Sequence, residues 1–183
     1  MFERLAIPDV ILVTPKRFGD ERGYFSETFR ENDYAAAGIT GPFVQDNHAY
    51  SAHAGVLRGL HYQRPPSAQA KLVRCTRGAI FDVAVDIRQG SKTFGKYVSA
   101  ELSAENGAHL YIPVGFAHGY LTLTEHCDVL YKVSDYYSPE DEGGLAWDDP
   151  TLAIDWPMPK SEIRLSEKDR ALDSLAALCS PFA

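Results

Sequence analysis

The sequence predicts an all-β jelly-roll barrel. Three observations carry this. Many short apolar or alternating runs lie at close spacing, glycines and prolines punctuate them, and only two segments have helical character. A chain of 183 residues supports one sizeable core, so one domain over 1–183 is expected.

The first run, Val10-Ile-Leu-Val13, is β-branched and ends at Thr14-Pro15, a strand and a turn. Over 24–29, Phe25, Glu27 and Phe29 alternate with Tyr24, Ser26 and Thr28, which predicts a strand with a glutamate on its aromatic face. Such a glutamate is read equally well as a functional group or as an edge-strand gatekeeper. Residues 30–37 look helical and stop at Gly38. The segment Phe43-Val-Gln-Asp-Asn-His48 offers amides that either read a polar ligand or turn the chain.

The stretch Gly55-Val-Leu-Arg-Gly-Leu-His-Tyr-Gln63, followed by Pro65-Pro66 and Lys71, places cations and a histidine among strand-forming apolar residues. Strict alternation sets Arg58 and His61 on opposite faces, unless Gly59 is a bulge that re-aims the residues after it; a bulge is expected. Lys71 shares a face with Val73 and Cys75. Taken alone, His61 reads as a hydrogen-bonded core histidine and Lys71 as a snorkelling strand-end lysine. Gathered in one short stretch, they read as a site.

Farther on, Phe81, Val83, Val85 and Ile87 oppose Asp82, Ala84, Asp86 and Arg88, which predicts a half-buried strand turning at Gly90-Ser91. Residues 97–102 alternate again, and 109–112 lead into a run that ends at Leu123. Along 127–133, Cys127, Val129, Tyr131 and Val133 share a face, so the Tyr131 hydroxyl is expected in the same interior as Lys71. Residues 138–150 read as an acidic, turn-rich loop. An amphipathic helix is expected over about 166–178, with Ser166 as N-cap and Asp169 at N3, a capping pattern that by itself explains the aspartate.

Composition narrows the function classes. Hydrophobic content of 45% and charged content of 23% are ordinary for a globular protein, and the net charge of −7 argues against nucleic acid. A small anionic ligand remains compatible, because Arg22, Arg58, Lys71 and Lys168 supply local cations. The start of the chain reads as mature protein, no run is long enough to span a membrane, and three dispersed cysteines fit reduced, cytoplasmic thiols. There is no Walker loop or dinucleotide fingerprint, so no cofactor is expected.

Eight separated blocks then occur in one order: Asp20-x-Arg22-Gly-x-Phe25-x-Glu27, Gln45-Asp-Asn47, residues 55–63, Ala70-Lys71, residues 81–88, Ile112-Pro-x-Gly-Phe-Ala-His118-Gly, Tyr131-Lys132 and Leu165-Ser-x-Lys-Asp169. Together the sequence resembles the dTDP-4-dehydrorhamnose 3,5-epimerase family. The resemblance implies a metal-independent cupin-type jelly roll with short peripheral helices, including one at the C-terminus. It also implies a homodimer, to which strands within about 1–50 contribute, acting on a dTDP-linked 4-keto-6-deoxy sugar.

By the same resemblance His61 is the general base, Asp169 the carboxylate that orients it, Tyr131 the acid on the opposite face, and Lys71 the group beside the keto oxygen. His118 is implied as a substrate contact, and Arg22, Phe25, Glu27, Gln45, Asp46, Asn47, Arg58, Glu142 and Lys168 as nucleotide or sugar contacts, some donated across the dimer. Ala49 and Tyr50 depart from the family pattern, where a serine and a basic residue are frequent. The alternatives are an epimerase of one carbon, a metal-dependent cupin using Pro113-x-Gly-x-x-His118, and a non-catalytic sugar-binding jelly roll. The His61-Tyr62-Gln63 sequence lacks the His-x-His pair that metal-binding cupins favour.

Overall fold

Alternating runs pair into two antiparallel sheets that face each other, in a computed structural model that describes residues 1–183. The chain opens with β1 (Phe2–Arg4) and β2 (Ile11–Val13), a separate hairpin of β3 (Arg17–Asp20) and β4 (Gly23–Ser26), and helix α1 (Glu31–Ala36). The barrel strands follow as β5 (Gln45–Ser51), β6 (Leu57–Gln63), β7 (Lys71–Arg77), β8 (Ala79–Asp86) and β9 (Tyr97–Ser103). Then come β10 (His109–Ile112), β11 (Phe116–Thr122), β12 (Cys127–Val133) and the short β13 (Glu142–Gly144). One sheet runs β1-β2-β10-β7-β12-β5 and the other β13-β6-β11-β8-β9, the layered jelly-roll arrangement expected.

Much of the interior between the sheets is apolar: Val73 and Cys75 of β7 and Val129 of β12 cluster with Ile80 and Ala84 of β8. Among them on the same inner faces stand Lys71, Asp82, His118 and Tyr131, with Asp82 between Ile80 and Ala84 along β8. Strand β8 is not half-buried as alternation suggested. The apolar face, Val83 and Val85, packs under Leu145, Leu152, Leu175 and Phe182 as a buried face should, but the opposite face is buried as well, because Asp82 and Ala84 point into the interior between the sheets. Each such aliphatic side chain contributes roughly 1.5–3 kcal/mol on full burial. Asp86 is likewise buried, accepting bonds from Arg88, Ser91 and Thr93, which hold its carboxyl down at about 2 despite burial pushing it up; its role is structural.

Three expectations need correction. The strand over 24–29 ends at Ser26, because its partner β3 is only four residues long and offers nothing beyond Arg17 to pair with. The loop over 138–150 contains β13, which docks on β6 with Gly144 opposite His61; a Cβ on Gly144 would lie 2.7 Å from the Leu60 carbonyl oxygen, so only glycine allows that approach. The helix over 166–178 is realised as α2 (Glu167–Arg170) and a 3-10 turn (Leu175–Ala177). Ser166 caps α2 as expected, accepting from the Asp169 amide at 3.1 Å. The helix stops because Ala146 N–H bonds the Asp173 carbonyl and Asp149 accepts from the Leu175 amide, tertiary bonds that take over the backbone groups a longer helix would use.

Candidate active site

The bulge at Gly59 sets the site's geometry. On β11, His118 pairs with His61 and Tyr120 with Arg58, so Gly59 and Leu60 stand together opposite Gly119 and one residue is added to β6. That brings Arg58 and His61 onto the same inward face. Gly59 has φ +124°, and a Cβ there would lie 2.6 Å from the Gly119 Cα.

Two connected lobes of about 300 and 310 Å³ open from the barrel interior, and His61, Lys71 and Tyr131 line both. The outer lobe adds Gln45, Asn47 and Glu142; the inner adds Arg58, His118, Lys168 and Asp169. His61 Nε2 donates to Asp169 Oδ1 at 2.6 Å, leaving Nδ1 as the free basic nitrogen. Burial pushes the Asp169 carboxyl up, but the His61 hydrogen bond and charge outweigh it and hold the group below its ordinary range. The pair is open on one side only: the His61 side chain is 28% exposed and that of Asp169 6%.

Lys71 is buried, and its ammonium donates to the His61 carbonyl at 3.3 Å. Burial lowers its pKa to about 8 against the opposing pull of Asp82 and Glu142. Burial raises the Tyr131 phenol, with Arg58 acting to lower it. The phenol is therefore a proton donor at neutral pH, beside a cation that favours its anion. His118 Nε2 lies 3.0 and 3.1 Å from the two oxygens of Asp82, which is fully buried on β8. Burial holds the His118 imidazole below its ordinary pKa, Asp82 countering only in part.

At the mouth, Glu142 accepts from Lys168 at 2.5 Å and from the Tyr137 hydroxyl at 2.8 Å, while Gln45 donates to Asn47 at 2.8 Å. These groups offer hydrogen bonds around an opening that carries an exposed aromatic ring, Tyr137. The structure brings together His61, Lys71, Tyr131, Asp169, His118, Arg58, Gln45, Asn47, Glu142 and Lys168. It does not bring in Asp46, whose carboxylate is on the other face of β5 and accepts from Lys132 at 2.9 and 3.0 Å, a consequence of strand alternation between Gln45 and Asn47. Arg22, Phe25 and Glu27 also stand apart. Arg22 is held to Asp20 at the tip of the exposed β3–β4 hairpin, and none of the three lines either lobe.

Sequence reasoning missed Asp82 and Tyr137. Alternation already put Asp82 opposite Val83, but only the β8–β11 register shows that its oxygens meet His118. Tyr137 lies beyond the last regular strand of its sheet, where periodicity carries no signal. The structure gathers no three His, Cys, Asp or Glu side chains as a metal site; His61 and His118 face each other across β6 and β11, yet each turns Nε2 to its own carboxylate.

A family model described as dTDP-4-dehydrorhamnose 3,5-epimerase matches residues 4–177. A dTDP-4-dehydrorhamnose 3,5-epimerase of Sinorhizobium fredii is 54% identical over 181 residues, covering 99% of this chain and 92% of that protein. Its counterpart in Pseudomonas aeruginosa is 53% identical over 180 residues, covering 97% and 98%. Among solved structures, a dTDP-6-deoxy-D-glucose-3,5-epimerase from Legionella pneumophila, in complex with dTDP-4-keto-L-rhamnose, superposes with a TM-score of 0.92 at 47% identity, covering 97% of this chain and 94% of that one.

Proposed function

The chain belongs to the dTDP-4-dehydrorhamnose 3,5-epimerase family, and from that premise we propose that it is an isomerase inverting carbons 3 and 5 of dTDP-4-dehydro-6-deoxy-D-glucose to give dTDP-4-dehydro-L-rhamnose. The observation that carries the reading is the shared cavity of His61, Lys71 and Tyr131, with Asp169 bonded behind the imidazole.

The chemistry follows from the ketone. A carbonyl at carbon 4 acidifies the hydrogens on carbons 3 and 5, because the electrons left behind delocalise onto its oxygen. His61 Nδ1 takes the proton, and Asp169 stabilises the imidazolium that forms. Lys71 donates a hydrogen bond to the enolate oxygen, in a site dry enough that its charge counts. Tyr131 returns a proton to the opposite face, and the Arg58 charge favours the phenolate left behind. Before the second inversion the tyrosine regains its proton from solvent and the His61 imidazolium releases to solvent the one it took.

The same reading assigns nucleotide and sugar contacts to Gln45, Asn47, Arg58, His118, Glu142 and Lys168. Arg22, Phe25 and Glu27 are contributed by the hairpin of a second copy, so the enzyme works as a homodimer. Exposed Phe18, Tyr24 and Phe25 on that hairpin favour such a partner over water. Its setting is the reducing cytoplasm, which keeps Cys75, Cys127 and Cys179 as the free thiols they are here. No helix is long and apolar enough to cross a membrane.

Proton NMR of the product formed from dTDP-4-dehydro-6-deoxy-D-glucose in deuterated water tests the proposal. Inverted configuration with deuterium at carbons 3 and 5 is expected. A product inverted at one carbon would assign a mono-epimerase instead, and binding without exchange a sugar-binding protein.

A further inference from the structure

One buried side-chain polar atom in the chain has no hydrogen-bond partner, and it belongs to the wall of this cavity: the hydroxyl of Tyr120. Tyr120 is 4% exposed and lies two residues after His118 on the inward face of β11, with Arg58 and Asp82 as its cross-strand partners on β6 and β8. Its ring is 6.2 Å from that of His118. The rest of its surroundings is core, including Cys127 and Val129, where a phenylalanine would serve without leaving a donor unmet.

Leaving a buried donor unsatisfied costs stability, and native proteins keep such groups where a function satisfies them. The titratable or charged groups whose fields reach this phenol are Arg58, Tyr131 and Asp82, in or beside the proposed sugar site, and Cys127 on the core side. In the present geometry the oxygen is shut off from water, so it meets a ligand only when the wall yields slightly. Arg58 is the loosely held part of that wall. It is exposed, and its guanidinium is tethered to Ser51 Oγ by contacts of 3.4 Å and to the Tyr50 carbonyl at 3.1 Å. An anionic nucleotide drawing Arg58 outward would open the hydroxyl to the sugar.

We propose that Tyr120 is a further specificity-determining residue, whose hydroxyl forms a hydrogen bond with a ring hydroxyl of the bound 4-keto sugar. This rests on the epimerase reading above and deepens it. A site built to bond a hydroxyl rejects analogues that lack it far more strongly than an apolar pocket can, because the site's own polar group is then left unpaired.

Tyr120→Phe tests the inference, since it removes one oxygen and keeps the ring. Deuterium uptake at carbon 5 is followed with the natural dTDP-linked 4-keto sugar and with analogues lacking the hydroxyl at carbon 2 or carbon 3. Wild-type protein should prefer the natural sugar over one of the analogues by about tenfold or more, and Tyr120→Phe should lose about tenfold in kcat/KM on the natural sugar while its rate on that analogue is unchanged. The variant should melt no lower than wild type, because no folded-state bond is lost. Unaltered kcat/KM and discrimination, or a loss that extends equally to every sugar and lowers the melting temperature, would overturn the inference. Wild-type protein run alongside separates the two levels: no exchange there refutes the epimerase reading itself, whereas an active wild type beside an unaltered variant refutes only the role of Tyr120.

Discussion

Two histidine–aspartate pairs face each other across β6 and β11, and they differ in what surrounds them. His61 and Asp169 lie at 2.6 Å with the imidazole 28% exposed to the cavity, whereas His118 and Asp82 lie at 3.0 Å with side chains 8% and 0% exposed. The chemistry of the residues is the same in both. Burial separates their tasks: the open pair can take a proton from a ligand and return it to water, while the sealed pair is held with its imidazole below the ordinary pKa and can only donate or accept hydrogen bonds. The position of Asp169 on a short capped turn outside the barrel, and of Asp82 on a central strand, produces the difference.

Four substitutions probe this contrast. The largest effect is expected from His61→Ala, which removes the proposed base and should cost about 10² to 10⁴ in the rate of deuterium uptake at both carbons. Undiminished exchange would move the base elsewhere. Lys71→Met should cost about 10² to 10³ in kcat, the usual penalty for losing an oxyanion donor. In the wild type Lys71 carries its charge below about pH 8 and loses it above, so kcat should fall as pH rises through that value. A flat alkaline limb would show that the ammonium is not needed.

Asp169→Asn keeps the shape of the open pair and removes its charge. A hydrogen bond to a charged group contributes about 1.5–3 kcal/mol, so the expected loss in kcat is about 10- to 100-fold with KM little changed. The matching change in the sealed pair, Asp82→Asn, should cost less than about tenfold in kcat at pH 6, the size of one neutral hydrogen bond. It should also move the alkaline limb to lower pH, because Asp82 opposes the loss of the Lys71 proton. The charged or titratable groups remaining around that lysine would be His61, Arg58 and Tyr62 on β6, His118 and Tyr120 on β11, Tyr131 on β12, Tyr137 after it, Glu142 on β13, and Lys168 and Asp169 on α2. Equal losses from the two asparagine variants would erase the distinction between the pairs.

Period-two patterning makes much of this legible in the sequence. It set Lys71 with Val73 and Cys75, and Tyr131 with Cys127 and Val129, and both sets do line the interior. The bulge at Gly59 was legible as well, because a glycine between two functional residues of the wrong parity is the natural place for an added residue to restore their common face. What alternation cannot encode is register and cover. Nothing local says that Asp82 lies opposite the His118 strand, that Val83 and Val85 lie beneath Phe182 and Leu175, or that a Glu-Gly-Gly segment pairs with β6. Asp46 stands outside the cavity for a related reason: the motif supplied three adjacent polar residues, and a strand can aim only alternate ones into the same space.

The central claim is that the imidazole and the phenol act on one sugar ring from opposite faces. Tyr131→Phe in deuterated water tests it most directly. This variant, with His61 intact, should still exchange the acidic hydrogens but return deuterium to the face it left, so that label accumulates in sugar of unchanged configuration. Full-rate formation of the inverted product by Tyr131→Phe would contradict it.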